Sequence, residues 1–88
     1  MAKEFEIFRM GNTPVLTGEL TAEEEIRVRE VLEHFGWNNG MIDITDGPVL
    51  YPNRGIIEDG MVRLFDDEKG IEVFEAPDGY WDWDVIRK

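Results

Sequence analysis

The stretch MVRLFDDEKGIEVFEAPDGYWDWDVI, residues 61 to 86, decides how this chain folds. Three short runs of strand formers, 61 to 65, 71 to 76 and 80 to 86, are separated by Asp66-Asp67-Glu68-Lys69-Gly70 and by Ala76-Pro77-Asp78-Gly79-Tyr80, two clusters of turn residues. Pro then Asp then Gly suits a three-residue loop built on a type I turn with Gly79 in the left-handed region, pairing Ala76 with Tyr80. That pairing sets a register in which Val73 faces Trp83 and Ile71 faces Val85, and a four-residue loop at 67 to 70 puts Leu64 opposite Val73. Both turns then agree on one apolar face, Val62, Leu64, Ile71, Val73, Trp81, Trp83 and Val85, expected as the surface a helix covers. Period-two alternation gives the other face Met61, Arg63, Phe65, Glu72, Phe74, Ala76, Tyr80, Asp82 and Asp84.

Upstream, Leu20-Thr21-Ala22-Glu23-Glu24 opens a helix, with Thr21 as cap and Glu24 three positions on to close a capping box. Val28, Val31, Leu32 and Phe35 share one helical face, and Gly36 terminates it, so the helix is predicted over residues 22 to 35. Phe5 and Ile7 read as a strand, Gly11-Asn12-Thr13-Pro14 as a turn and Val15 to Leu20 as a second strand, giving an N-terminal hairpin. Residues 38 to 60 are the least regular segment: Met41 to Ile44 reads as a short strand, and Tyr51-Pro52-Asn53-Arg54-Gly55 as a chain break. The predicted fold is α+β: a small antiparallel sheet, hairpin plus three-stranded meander, packed against one helix in a single domain, residues 1 to 88. No repeat or linker interrupts it.

A domain of 88 residues buries roughly 60 to 65% of its unfolded surface, so its core is thin. Three Trp, five Phe and two Tyr within 42% hydrophobic residues still provide enough apolar mass to order the chain. The absence of Cys excludes disulfides and thiolate metal sites. Met1-Ala2-Lys3-Glu4-Phe5-Glu6 has no apolar run long enough for a signal peptide, so none is expected, and no apolar run approaches the roughly 20 residues of a membrane span. A soluble, cytoplasmic protein is expected.

Catalysis has few carriers in this chain. It holds neither Ser nor Cys as a nucleophile, and its single His34 sits at the predicted helix end without a partner in a triad or metal pattern. Asp43 to Gly47 and Asp66 to Glu68 could offer oxygen ligands, but neither fits a calcium loop. No glycine cluster matches a phosphate cradle, and the bases, from Lys3 and Arg9 to Arg87 and Lys88, form no stripe. The expectation is a protein without enzymatic activity, cofactor or bound metal, and without direct contact to nucleic acid or membrane.

What remains is charge. Twenty acids against nine bases give −11, beyond the magnitude of about 2 to 8 ordinary for a small soluble domain. The excess is concentrated: between Glu58 and Asp84 ten acids face only Arg63 and Lys69, a local charge of −8. Asp82 and Asp84, two apart on a strand, are separated by about 6.5 to 7 Å, of the order of neighbouring phosphates along a nucleic-acid strand. Such a surface repels nucleic acid and steers toward a basic protein surface. The leading expectation is therefore an inhibitor that occupies the basic, nucleic-acid-binding surface of an enzyme such as a nuclease or CRISPR effector. Phage-encoded anti-restriction and anti-CRISPR proteins, some of them DNA mimics, are similar in size and composition, with no shared motif. The expected contact residues are Asp66, Asp67, Glu68, Glu72, Asp82 and Asp84, with Phe74 and Tyr80 as anchors. The alternative is a general interaction module, an immunity protein, antitoxin or assembly subunit, whose acidity serves steering and solubility. Salt adaptation is a third reading, opposed by eight Ile and the bulky aromatics. A purely structural role for the second face would bury Phe65, Phe74 and Tyr80 and leave its acids as guards against edge pairing.

Overall fold

The computed structural model describes residues 1 to 86; Arg87 and Lys88, counted above among the bases, lie outside the described residues. In chain order the elements are β1 (Lys3–Met10), β2 (Thr13–Thr17), α1 (Ala22–His34), β3 (Ile42–Asp43), β4 (Val49–Leu50), β5 (Arg54–Glu58), β6 (Met61–Asp66), β7 (Ile71–Glu75) and β8 (Trp81–Val85). The α+β architecture is as expected, but hairpin and meander are not separate units. They join through β5 into one antiparallel sheet of order β2-β1-β5-β6-β7-β8, while β3 and β4 form a second, two-stranded sheet.

The meander takes the predicted register: Leu64 pairs with Val73, Val73 with Trp83 and Ile71 with Val85. Gly79 has φ 91°, and Ala76 N donates to Tyr80 O at 2.7 Å, closing the three-residue loop. The helix begins as its sequence requires. Glu24 N donates to Thr21 Oγ1 at 3.1 Å and Thr21 N to Glu24 Oε1 at 2.8 Å, a reciprocal capping box. It ends one residue earlier than predicted, with Phe35 as C-cap, because the chain closes in a Schellman arrangement: Trp37 N bonds Leu32 O and Gly36 N bonds Glu33 O.

One face of the sheet is covered and the other is open. Val28, Val31, Leu32 and Phe35 of the helix, with Ile42, Ile44 and Leu50 of the irregular segment, bury Phe5, Ile7, Ile57, Val62, Leu64 and Val73. The segment read as irregular is thus the second half of the lid over the core. The expected apolar face is only partly core, however. Val62, Leu64 and Val73 are buried and Ile71 and Trp81 partly so, but Trp83 and Val85 are exposed by 37% and 59%. The reason is topological: α1 packs most closely on β6, near the middle of the six strands, and β8 is the edge. None of the described helices is long and apolar enough to cross a membrane.

Glu24 also ties the helix start to β1, since Lys3 Nζ lies 2.8 Å from Glu24 Oε1. This hydrogen bond, with that from the Thr21 backbone, lowers the Glu24 carboxyl to about 2. A folded-state value below the unfolded one, about 4.3, means that the contact stabilises above the unfolded value and is lost as the pH falls toward the folded one. Lys3→Met is expected to move the Glu24 titration, followed by carboxyl-carbon NMR, upward toward the ordinary glutamate range. A midpoint left near its wild-type position would show that Lys3 is not the cause.

Candidate protein-binding surface

Antiparallel register arranges the open face in transverse rows. One row runs Thr17, Glu6, Arg54, Phe65, Glu72, Asp84 across all six strands, and the next runs Glu4, Ile56, Arg63, Phe74, Asp82 from β1 to β8. The centre is cationic and aromatic, and both flanks are acidic. Phe65, on the face opposite the helix, is nevertheless only 3% exposed. The guanidinium carbons of Arg54 and Arg63 stand 4.2 and 5.0 Å from its ring centroid and roof it over. The covering expected for the structural reading of Phe65 comes from two arginine side chains, not from another segment.

The eight expected contact residues divide into two groups. Asp66 is a correction, whereas Asp67 is exposed as expected but already paired within the chain. Asp66 is 2% exposed and points to the covered side, where Oδ2 accepts from Tyr51 N at 2.9 Å and Oδ1 from Lys69 N at 3.0 Å. A run of three acids in a turn looked like surface charge, but the strand's alternation carries its first member inward to satisfy two backbone donors. Asp67 is held by Arg54 in a two-pronged pair, 2.7 Å to Nε and 3.0 Å to Nη2, and by Asn53. That hydrogen bond holds the Arg54 guanidinium above its ordinary value. Both carboxylates are therefore committed to joining the β4–β5 connection to the β6–β7 turn.

Five of the other six, Glu72, Phe74, Tyr80, Asp82 and Asp84, gather on the β7–β8 side of the sheet. Glu72 Oε2 accepts from Arg63 at 2.8 Å and stands directly opposite Asp84, while Asp82 stands opposite Phe74. Phe74 is half-buried and Tyr80 60% exposed, their ring centroids 6.1 Å apart. Neither aromatic is fully covered, the condition an anchoring role requires. Met61, Arg63, Glu72 and Phe74 line a shallow depression beside them. Glu68 is exposed in the turn between β6 and β7. Among the described residues no group of three or more His, Asp or Glu is arranged to hold a metal.

Two features escaped the sequence reading. Arg54 joins Arg63, already placed on this face by the alternation, as a counter-ion of the acidic surface, which only the β5 pairing reveals. Glu75, counted with the surface acids, is 5% exposed on the covered side, where it meets Arg27 at 3.0 Å and contacts His34 Nδ1. Its place beside Val73 in the alternation was the available signal. The chain matches no family model, no curated protein and no solved structure.

Proposed function

We propose that the chain is a non-enzymatic, stoichiometric inhibitor whose β7–β8 surface occupies the basic, nucleic-acid-binding surface of an enzyme in the manner of a DNA mimic. The observation that carries this reading is the carboxylate triangle of Glu72, Asp82 and Asp84. Glu72 and Asp84 are direct cross-strand partners, and like charges so placed cost stability. Asp82 follows along the strand at about 6.5 to 7 Å, a phosphate-like interval. Beside the triangle, Phe74 and Tyr80 supply aromatic body inside a charged rim, the composition of a protein-binding patch. A charge of −11 accelerates approach to a basic target at low salt. A nuclease or CRISPR effector is the class of target such a surface suits.

The test starts from a partner captured on the immobilised chain. Asp82→Lys combined with Asp84→Lys is expected to weaken its binding at least about tenfold, since close interfacial charge pairs couple strongly. The same variant should unfold at an equal or slightly higher temperature, because it relieves the Glu72–Asp84 repulsion. Unchanged binding by the folded variant would count decisively against the reading.

A general interaction module is the second reading, and it is favoured by the burial of Asp66, which shortens the exposed acidic run, and by the pairing of exposed Asp67 with Arg54, which offsets its charge. Duplex DNA that competes for the captured partner favours mimicry; a partner indifferent to DNA favours the module.

A further inference from the structure

We propose that the outer edge of β8 receives an extended partner segment of alternating basic and apolar residues as a seventh, antiparallel strand. The proposal rests on the acidic-surface reading above and specifies how that surface is engaged.

The two edges of the sheet differ. β2 carries Pro14, which has no N–H to offer, and its carbonyl is taken by Arg29 Nη1 at 2.7 Å. Among the described residues β8 has neither device. Its bonds to β7 are framed by Ala76 N to Tyr80 O and Ile86 N to Gly70 O, both 2.7 Å. In this register the backbones of Asp82 and Asp84 face β7, and those of Trp81, Trp83 and Val85 face outward.

Two outward donors are occupied in a replaceable way. Trp83 N donates to Asp82 Oδ1 at 2.8 Å and Val85 N to Asp84 Oδ1 at 2.7 Å, each to the exposed side chain immediately before it. An incoming carbonyl can take over either donor, and the released carboxylate then accepts a cation instead. The exchange conserves hydrogen bonds and adds charge pairing.

The side chains specify the occupant. Trp81, Trp83 and Val85 project on the covered side with exposed apolar area, and Asp82 and Asp84 on the open side. A strand laid alongside meets apolar positions on one face and carboxylates on the other, so it matches alternating apolar and basic residues. A second copy of this chain is disfavoured, because two such edges would oppose Asp82 and Asp84 to their like on molecules of net charge −11.

The test titrates the isotopically labelled chain with the acetylated, amidated peptide Arg-Val-Arg-Val-Arg-Val-Arg. Its valine amides would face β8 and its arginine amides would face away. N-methylation of the valines is expected to weaken binding at least about tenfold, whereas N-methylation of the arginines changes it less than about twofold. Amide shifts and slowed hydrogen exchange are expected at Trp83 and Val85. Equal affinity for the two methylated peptides, or no binding of the parent peptide at millimolar concentration, overturns strand addition. Equal affinity leaves the acidic-surface reading standing; parent-peptide binding unchanged by the Asp82→Lys and Asp84→Lys pair overturns that reading itself.

Discussion

Replacing Arg27 with alanine is expected to lower folding stability by about 3 kcal/mol, the low end of the range for breaking a buried ion pair by removing one partner. Arg27 closes the structure at the end where the helix, the β5–β6 turn and the β7–β8 turn meet. Nε donates to Gly60 O and Nη2 to Ala76 O, each at 3.0 Å, while Nη1 pairs with Glu75 Oε2. The Glu75 side chain is 7% exposed against 24% for Arg27, so the carboxylate bears the greater desolvation. Without Arg27 it keeps, among the described residues, only its contact with the half-exposed His34, which is why the low end of the range applies. A domain of this length holds about 4 to 13 kcal/mol in all, so the loss is a large part of it. Arg27→Met with Glu75→Leu is expected to be less damaging than Arg27→Ala alone, because no buried charge is stranded. Urea denaturation at constant m-value measures both. An Arg27→Ala midpoint equal to wild type would show that Glu75 is adequately solvated without it.

This hub marks where sequence reasoning stops. The meander was legible because two independent turns agreed on one register, and the helix because Thr21, Glu24 and Gly36 are local chemistry acting on their own neighbours. Period two also placed Glu75 beside Val73, yet a glutamate among ten clustered acids carries no mark of being the buried one. Its burial depends on Arg27, 48 positions away. Asp66 was misread for a related reason: the donors it satisfies, from Tyr51 and Lys69, come partly from a loop whose path the sequence does not specify. The candidate surface was legible as a charge excess and as the Phe74, Tyr80, Asp82 and Asp84 alternation. The Arg54 half of its arginine roof was not, because it belongs to β5, a strand hidden behind Pro52, Asn53 and Gly55.

Gly55 is the residue that conceals that strand and the one on which the joining of the sheet depends. Gly55→Val is expected to cost about 3 kcal/mol, the upper part of the usual range for overpacking. Gly55 lies between Phe5 on β1 and Leu64 on β6, and the Phe5 ring occupies the space above it. A β-carbon at this position would press into the ring and come within 2.7 Å of the Arg63 carbonyl oxygen. Phe5 is 1% exposed and cannot swing aside into solvent, and the carbonyl belongs to the β5–β6 ladder. In a strand, a glycine of this kind signals the close approach of another group, not a turn. Pairing Gly55→Ala with Phe5→Leu separates the two obstacles. The smaller side chain should relieve the ring contact, making the double variant more stable than the sum of the single effects by about 1 kcal/mol. It should still fall short of wild type, because the Arg63 carbonyl remains in place. Strict additivity in denaturant unfolding would refute a direct Phe5–Gly55 contact, and a Gly55→Val variant with the wild-type midpoint would remove β5 from the centre of the sheet.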